Sequence, residues 1–236
     1  MKSQLQTEEG WRATLQAQDE FVRFSADLSE SMHRLAPPQE YPPSTDLFKQ
    51  DSPAQEIYFI ESGLVKLTCL ESDGEELILG LRSSQYTLGA ASVILHKPYP
   101  INAVTLTRCS LCRIPANVFL NVLEIDSQFL LRFLKEQSRE IYDQLAFIVQ
   151  LRSRSARYRL AQLLLQQISA LHIEDPQKEI RLEWLLKNRE VAQLIAITPQ
   201  HLSRLLRQMQ REGMIRREKK AVIVADLQEL RHKVFK

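Results

Sequence analysis

Glycine is scarce in this sequence, 6 among 236 residues, and cysteine scarcer still, with 3. So few glycines leave no Gly-rich loop of the kind that cradles phosphates. Three cysteines in a chain this long do not describe a disulfide framework. No apolar run approaches the roughly 20 residues a membrane-spanning helix needs, so no membrane partner is expected. The N-terminal stretch MKSQLQTEEGWRATLQAQDE has no apolar segment behind a basic start. That argues against a signal peptide and for the cytoplasm. No Ser/His/Asp grouping or metal-ligand spacing stands out, so an enzyme is not expected. What remains is ordinary globular composition, 44% hydrophobic and 25% charged, at a length that suits one large domain or two smaller ones.

The net charge of +2 conceals a division. Residues 1–150 hold 13 Lys and Arg against 20 Asp and Glu, net −7, whereas residues 151–236 hold 18 against 9, net +9. An acidic body with a basic C-terminal third suggests that a polyanion meets only that third. The cysteines invite a second question, because Cys109 and Cys112 have CxxC spacing. However, AVTLTRCSLCRIP alternates like a strand, and residues three apart on a strand point to opposite faces. Two packing cysteines are therefore favoured over a functional pair, and a structural zinc or iron–sulfur site would need about four ligands.

Along the chain, Trp11, Leu15, Phe21, Phe24, Leu28 and Leu35 predict a helix over 11–35. APPQEYPPSTD ends it, since proline cannot sit in a helix interior. From Leu47 to Ile114, short apolar runs such as EIYFIES, GLVKLTCL, EELILGL and INAVTLTRCSLCRI predict a small antiparallel sandwich or barrel. ESDG, ending in Gly74, reads as a hairpin connection. A long segment without Gly or Pro follows, in which Leu134, Ile141 and Ile148 recur every seven residues beside Leu131, Leu145 and Leu151. That spacing suits a helix packed along a partner helix, with Arg132, Lys135, Glu136 and Arg139 on the opposite face. The alternative is a long helix buried against its own domain. ARYRLAQLLLQQISAL predicts a further helix, IEDPQKE breaks it, and EIRLEWLL is a strand or an extended entry.

The C-terminal third is the most specific part. Asn188 is placed to cap a helix through REVAQLIA, with Val191, Ala192 and Ile195 on one face. AIT makes a short turn. Thr198 can cap a second helix, with Pro199 at the first helical position, where a missing N–H costs nothing. Leu202, Leu205, Leu206 and Met209 then give a core face. Gln200, His201, Ser203, Arg204, Arg207, Gln208 and Arg211 give a polar one, and Gly213 ends the helix. MIRREKKAVIVADLQEL reads as strand, basic turn and strand, carrying Arg216, Arg217, Lys219 and Lys220. Residues 187–220 hold nine Lys and Arg against three Glu, net +6. A helix-turn-helix with a basic hairpin points to double-stranded DNA, with Thr198, Gln200, His201, Ser203, Arg204 and Arg207 facing it. Lys187, Arg189, Arg217, Lys219 and Lys220 are the expected flanking contacts. A module that docks a protein through the same helices is the competing class. Loss of DNA affinity on removing Arg204 and Arg207, with partner binding intact, separates the two.

These residues resemble the Crp/Fnr family of bacterial transcription regulators over nearly the whole chain. YPPSTDLFKQDSPAQEIYFIESGLVKL and YTLGAASVILHKPYPINAVTLTRCSLCRIP are similar to the two halves of the family's β-roll. REVAQLIAITPQHLSRLLRQMQREGMI is similar to its helix-turn-helix. The resemblance implies an α+β chain: a sensor roll over 1–120, a dimerisation helix over 121–152 and a winged helix over 153–236. It also implies a homodimer on a two-fold operator, with Leu134, Ile141, Leu145 and Ile148 at the dimer contact and RNA polymerase as a further partner.

Two departures stand out. Nucleotide-binding members follow the roll glycine with Glu and carry an Arg–Ser or Arg–Thr pair for the phosphate. Here Gly89 precedes Ala90, and the phosphate region reads Pro100-Ile101-Asn102. Cyclic AMP is therefore not expected in the family manner, and no cofactor is predicted. Heme is the alternative, with His33, His96 and the cysteines as ligand types. In the recognition helix, many members have Arg-Glu and then Arg four residues after the Glu. Here those places hold Pro199, Gln200 and Arg204, which predicts a changed sequence preference.

Overall fold

The computed structural model describes residues 28–169, 179–227 and 230. The predicted 11–35 helix falls within this range only over 28–35 (α1). Trp11, Leu15, Phe21 and Phe24 lie outside the described residues, as does nearly all of the IEDPQKE segment.

Eight strands form the N-terminal roll: β1 (Pro38–Tyr41), β2 (Asp46–Phe48), β3 (Glu56–Ser62), β4 (Val65–Leu70), β5 (Glu76–Arg82), β6 (Thr87–Leu88), β7 (Asn102–Thr105) and β8 (Cys109–Pro115). They make two antiparallel four-stranded sheets, ordered β1-β8-β3-β6 and β2-β7-β4-β5. Both β1 and the split of INAVTLTRCSLCRI into β7 and β8 depart from the expectation. Proline at the start of an edge strand removes no ladder bond that matters, so Pro38 pairs with Cys112 at the sheet border. ESDG does close the β4–β5 hairpin, with Gly74 at φ 84°. At Gly63, φ is 95°, and a Cβ would lie 2.5 Å from the Arg108 carbonyl oxygen and 2.6 Å from Cys109 Sγ. Glycine is what lets β3 turn into β4 against β8.

The alternation along β3 and β8 sorts the core into two layers. Tyr58, Ile60, Cys109 and Leu111 point between the sheets, with Leu67, Leu88 and Tyr99. Ile57, Phe59, Cys112 and Ile114 point outward beneath helices, with Leu28, Met32, Phe119, Phe129 and Phe133. The two cysteines are free, buried and on opposite faces, as the strand spacing implies.

The covering helices are α1, α2 (Ala90–Ile94), α3 (Ala116–Ile125) and the start of α4 (Ser127–Ser153). The expected 121–152 helix is therefore two helices. Asp126 breaks it: its backbone is extended, and its carboxylate accepts from the Gln128 and Phe129 N–H groups, both at 3.0 Å. That is an N-cap, which starts a new helix where the sequence shows no Gly or Pro. Some of the charged residues of α4 turn toward the roll. Arg132 donates to Ser31 Oγ at 3.2 Å, and the Tyr86 hydroxyl donates to Glu140. Burial raises the Glu136 carboxyl above its ordinary value.

Beyond α4, α5 (Ala156–Ser169) leads into β9 (Ile180–Glu183), α6 (Asn188–Leu194), α7 (Pro199–Arg211), β10 (Ile215–Glu218) and β11 (Ala221–Val224). The three strands pair in the order β10-β11-β9. EIRLEWLL thus supplies a strand of the wing sheet.

Candidate nucleic-acid interface

The helix-turn-helix is built from α6 and α7. The cap of α6 is not Asn188. Lys187 holds the extended cap position, and Glu190 reaches back to accept its N–H at 2.7 Å. Asn188 Oδ1 instead accepts from the Trp184 indole at 3.2 Å. A carboxylate three residues into the helix thus satisfies the backbone N–H of the cap residue itself, the half of a capping box that needs no short cap side chain. The turn passes through Ala196 at φ 52°, a left-handed conformation costing a non-glycine residue roughly 1–2 kcal/mol. Two hydrogen bonds hold it there, Ala196 N–H to Gln193 O at 3.0 Å and Ile197 N–H to Ala192 O at 2.9 Å. Arg159 of α5 braces the same turn by donating to Ile195 O at 2.8 Å.

Helix α7 begins as its sequence suggests. The Thr198 hydroxyl accepts the His201 N–H at 3.2 Å, and Pro199 is the first helical residue. Leu202, Leu205, Leu206 and Met209 are buried, while Gln200, His201, Arg204 and Arg207 are exposed and Ser203 is half-buried. Gly213, at φ 73°, closes the helix, with Gly213 N–H to Gln210 O at 3.1 Å and Met214 N–H to Met209 O at 3.0 Å. The wing turn then places Lys219 and Lys220 in solvent. Its arginines are partly engaged. Arg216 pairs with Glu179 at 2.8 Å, and the Arg217 guanidinium lies 5.9 Å from the Trp184 ring centroid.

Two of the expected flanking residues have different surroundings. Lys187 is exposed at the start of α6, but Arg189 pairs with Glu75 of the β4–β5 turn at 3.0 Å. That pair belongs to a contact the sequence does not announce: α6 lies against the roll. Lys66 Nζ of β4 meets Glu190 Oε1 at 2.9 Å, with both side chains under a fifth exposed. The Ile78 N–H donates to Gln193 Oε1 at 3.3 Å. Ile78 and Leu81 of β5 enter the same apolar cluster as Val191, Ala192 and Leu206. Glu190 had a local signal, three residues after its cap. Lys66 and Gln193 had none, because their partners are more than a hundred residues away.

In the roll, Gly89 has φ 83°, and a Cβ there would come within 2.8 Å of Tyr99 Cε1. Ala90 is buried, Pro100 is exposed, and Ile101 is half-buried against the inter-sheet core. Asn102 is a structural residue here. Its Oδ1 accepts the Gln50 N–H at 2.9 Å, and its amide donates to Thr68 Oγ1 at 3.4 Å. Tyr99, stacked on Phe48 at 4.0 Å between centroids, fills the space beside Gly89.

Comparison with known proteins agrees with this architecture. The cyclic nucleotide-binding domain family model matches residues 38–126, and the Crp-like helix-turn-helix domain model matches 158–233. The chain is 26% identical over 184 residues to the transcriptional activator protein anr of Pseudomonas aeruginosa, covering 78% of this chain and 75% of that one. It is 25% identical over 197 residues to the CRP-like cAMP-activated global transcriptional regulator of Mycobacterium tuberculosis, covering 82% and 86%. FixK2 from Bradyrhizobium japonicum shares the fold, with a TM-score of 0.69 at 19% identity over 84% of this chain and 96% of that one.

The Lys66–Glu190 pair generates a pH prediction. Burial alone would raise the Glu190 carboxyl, but hydrogen bonds from Lys66 and the Lys187 N–H, together with their charges, hold it below its ordinary value. A depressed folded pKa means stabilisation that is present above the unfolded value of about 4.3 and is lost as pH falls through the folded one. Lys66→Met should therefore be destabilised at neutral pH, with the deficit shrinking as pH drops below about 4. Denaturant midpoints of both proteins across that range check this; a deficit constant with pH contradicts it.

Proposed function

The chain belongs to the Crp/Fnr family of transcription regulators, and from that premise we propose that it acts as a homodimer on a two-fold operator. The observation that carries the reading is the divided surface of α7. One face is packed into the winged-helix core, and the other presents Gln200, His201, Arg204 and Arg207 to solvent. Arg204 suits guanine O6 and N7, and Gln200 suits adenine through its amide. Thr198, Ser203, Lys187, Arg217, Lys219 and Lys220 flank them as phosphate contacts. Arg189 joins that set when it leaves Glu75. The bound dimer works in the cytoplasm through RNA polymerase, and its chemistry is recognition, not catalysis.

Operator selection from random DNA, followed by binding measurements, tests this. Arg204→Ala should cost about 1–3 kcal/mol and relax preference at one base, whereas Lys219→Ala should weaken all sequences evenly and reduce the salt slope by about 1. Recovery of the common family half-site unchanged would remove the argument from Gln200.

Dimerisation is assigned to α4. Leu134, Ile141, Leu145 and Ile148 are 56%, 59%, 58% and 54% exposed in the single chain, on a stripe that spans four turns of helix. A contiguous apolar surface of this kind marks an interface, and heptad spacing matches it to its own copy. Replacing Ile141 and Leu145 together by Glu should reduce the native mass from two chains to one and weaken operator binding. A variant that stays dimeric places the interface elsewhere.

The roll is proposed not to hold cyclic AMP in the family manner. Ala90 offers no carboxylate for the ribose, and Pro100 and Ile101 offer neither cation nor hydroxyl for the phosphate. Burying a cyclic phosphate without such partners is costly. Calorimetric titration should detect no micromolar or tighter binding, and a constant in that range defeats the proposal.

A further inference from the structure

Outside the DNA-binding face, one group of metal-ligand side chains converges among the described residues. His33, Glu61 and Cys112 place one ligand atom each within 4.8 Å of one another. They come from three elements: α1, the end of β3 and the middle of β8. The strand alternation explains the meeting. Glu61 follows Ile57 and Phe59 on the helix-covered face of β3, at the ladder irregularity between Ile60 and Ser62. Cys112 stands on the same face of β8, opposite Phe59. Helix α1 lies above, with Leu28 and Met32 buried in that layer. One position further along α1, Ser29 and His33 therefore reach the rim where Glu61 emerges. His33 Nε2 is 2.7 Å from Glu61 Oε1, and Ser29 Oγ donates to the same oxygen at 2.5 Å.

We propose that His33, Glu61 and Cys112 bind one divalent transition-metal cation of the zinc and iron class, leaving its fourth position open to solvent. Imidazole, carboxylate and thiolate are the donor types such ions take, and three protein ligands with one open position is a recurring arrangement. The charge suits the place. One thiolate and one carboxylate neutralise a dication, so the ion adds no net charge beside the buried layer. The layout suits it as well. Cys112 is fully buried and would anchor the ion from beneath, while His33 and Glu61 keep 38% and 25% of their side chains exposed at the rim. Tetrahedral bonds of about 2.0–2.3 Å separate ligand atoms by roughly 3.3–3.8 Å. The imidazole and carboxylate would part from their hydrogen bond by under about 1 Å, and the thiolate would close by a similar amount, within reach of side-chain rotation. Binding displaces the Cys112 thiol proton to solvent. Two residues before His33, Ser31 accepts from Arg132 of α4 at 3.2 Å, so the site ties α1 to the helix that carries the exposed apolar stripe.

The test uses the full chain freed of metal with a chelator and titrated with Co2+. One equivalent per chain should produce a thiolate-to-cobalt charge-transfer band and the intense visible bands of four-coordinate cobalt. Cys112→Ser should abolish the charge-transfer band, while Cys69→Ser and Cys109→Ser retain it. His33→Gln and Glu61→Gln should each weaken Co2+ binding by 10-fold or more, on the order seen when a metal site loses a supporting group. If Cys112→Ser does not fold by circular dichroism, these two rim variants decide the matter. Absence of the band in the wild type, its loss on Cys69→Ser, or unchanged Co2+ binding in both rim variants overturns the proposal. None of these readouts involves DNA, so the site and the operator reading stand or fall separately.

Discussion

Strands β3 and β8 are buried on both faces, and most of the sensor half follows from that. Each carries apolar side chains at successive positions, so one set fills the space between the sheets and the other must be covered from outside. A slip of one residue between the two strands would exchange every one of these side chains. Ile57, Phe59, Cys112 and Ile114 oblige α1, α2, α3 and the first turns of α4 to pack above them. Phe129 and Phe133 are the anchors α4 contributes. Past them α4 meets the roll through polar side chains such as Glu140, which accepts from Tyr86, while Leu134, Ile141, Leu145 and Ile148 stay exposed. The exposed apolar stripe is thus the continuation of a helix whose beginning the roll has already fixed.

The second junction joins roll and winged helix. Ile78 and Leu81 of β5 are 5% exposed, and both sit in the cluster that also holds the core of α6 and α7. Burying two such side chains is worth about 1.5–3 kcal/mol each, more than the flanking exposed pair Arg189–Glu75 contributes at about 0–1 kcal/mol. The polar contacts therefore set register, and the apolar ones supply the adhesion. Helix α6 lies between β5 and α7 in that cluster. The β4–β5 hairpin and α7 thus share one apolar core with α6 between them. The physical route from the roll to the DNA-facing helix is one helix thick.

Much of this was legible in the sequence, in proportion to how local each signal was. EIYFIES is β3 without a residue added or lost, and the capped start of α7 follows from Thr198 and Pro199 alone. The opposite facing of Cys109 and Cys112 came from strand periodicity. The failures share a cause. Asp126 caps α4 in a segment without Gly or Pro, where periodicity continues across the break and conceals it. Helix α6 starts at Asn188 rather than after it, because Lys187 takes the cap position and Glu190 accepts its N–H while Trp184 holds the Asn188 amide oxygen. The contacts of Lys66 with Glu190 and of His33 with Glu61 and Cys112 join distant positions, and no local spacing encodes them. The CxxC spacing was the misleading cue: Cys112 meets its neighbours through the sheet, not through Cys109.

Proline at the head of α7 leaves the first helical position without a cation, which raises the question of where the surrounding positive charge lies. Of the cations over residues 187–220, some are already engaged by carboxylates outside that stretch: Arg189 by Glu75 and Arg216 by Glu179. These pairs are exposed, so holding them contributes little to stability. Phosphates, which present a dense line of negative charge, can outbid a single carboxylate for such arginines at small cost. On the operator reading proposed above, Arg204, Arg207, Lys219 and Lys220 would make the first contact, and the paired arginines would join as the duplex approaches. On that reading base readout would rest on Gln200 and Arg204, and affinity would spread across the wing. A protein that reads DNA this way would lose sequence preference through one residue of α7, yet lose affinity only gradually through many of its basic ones.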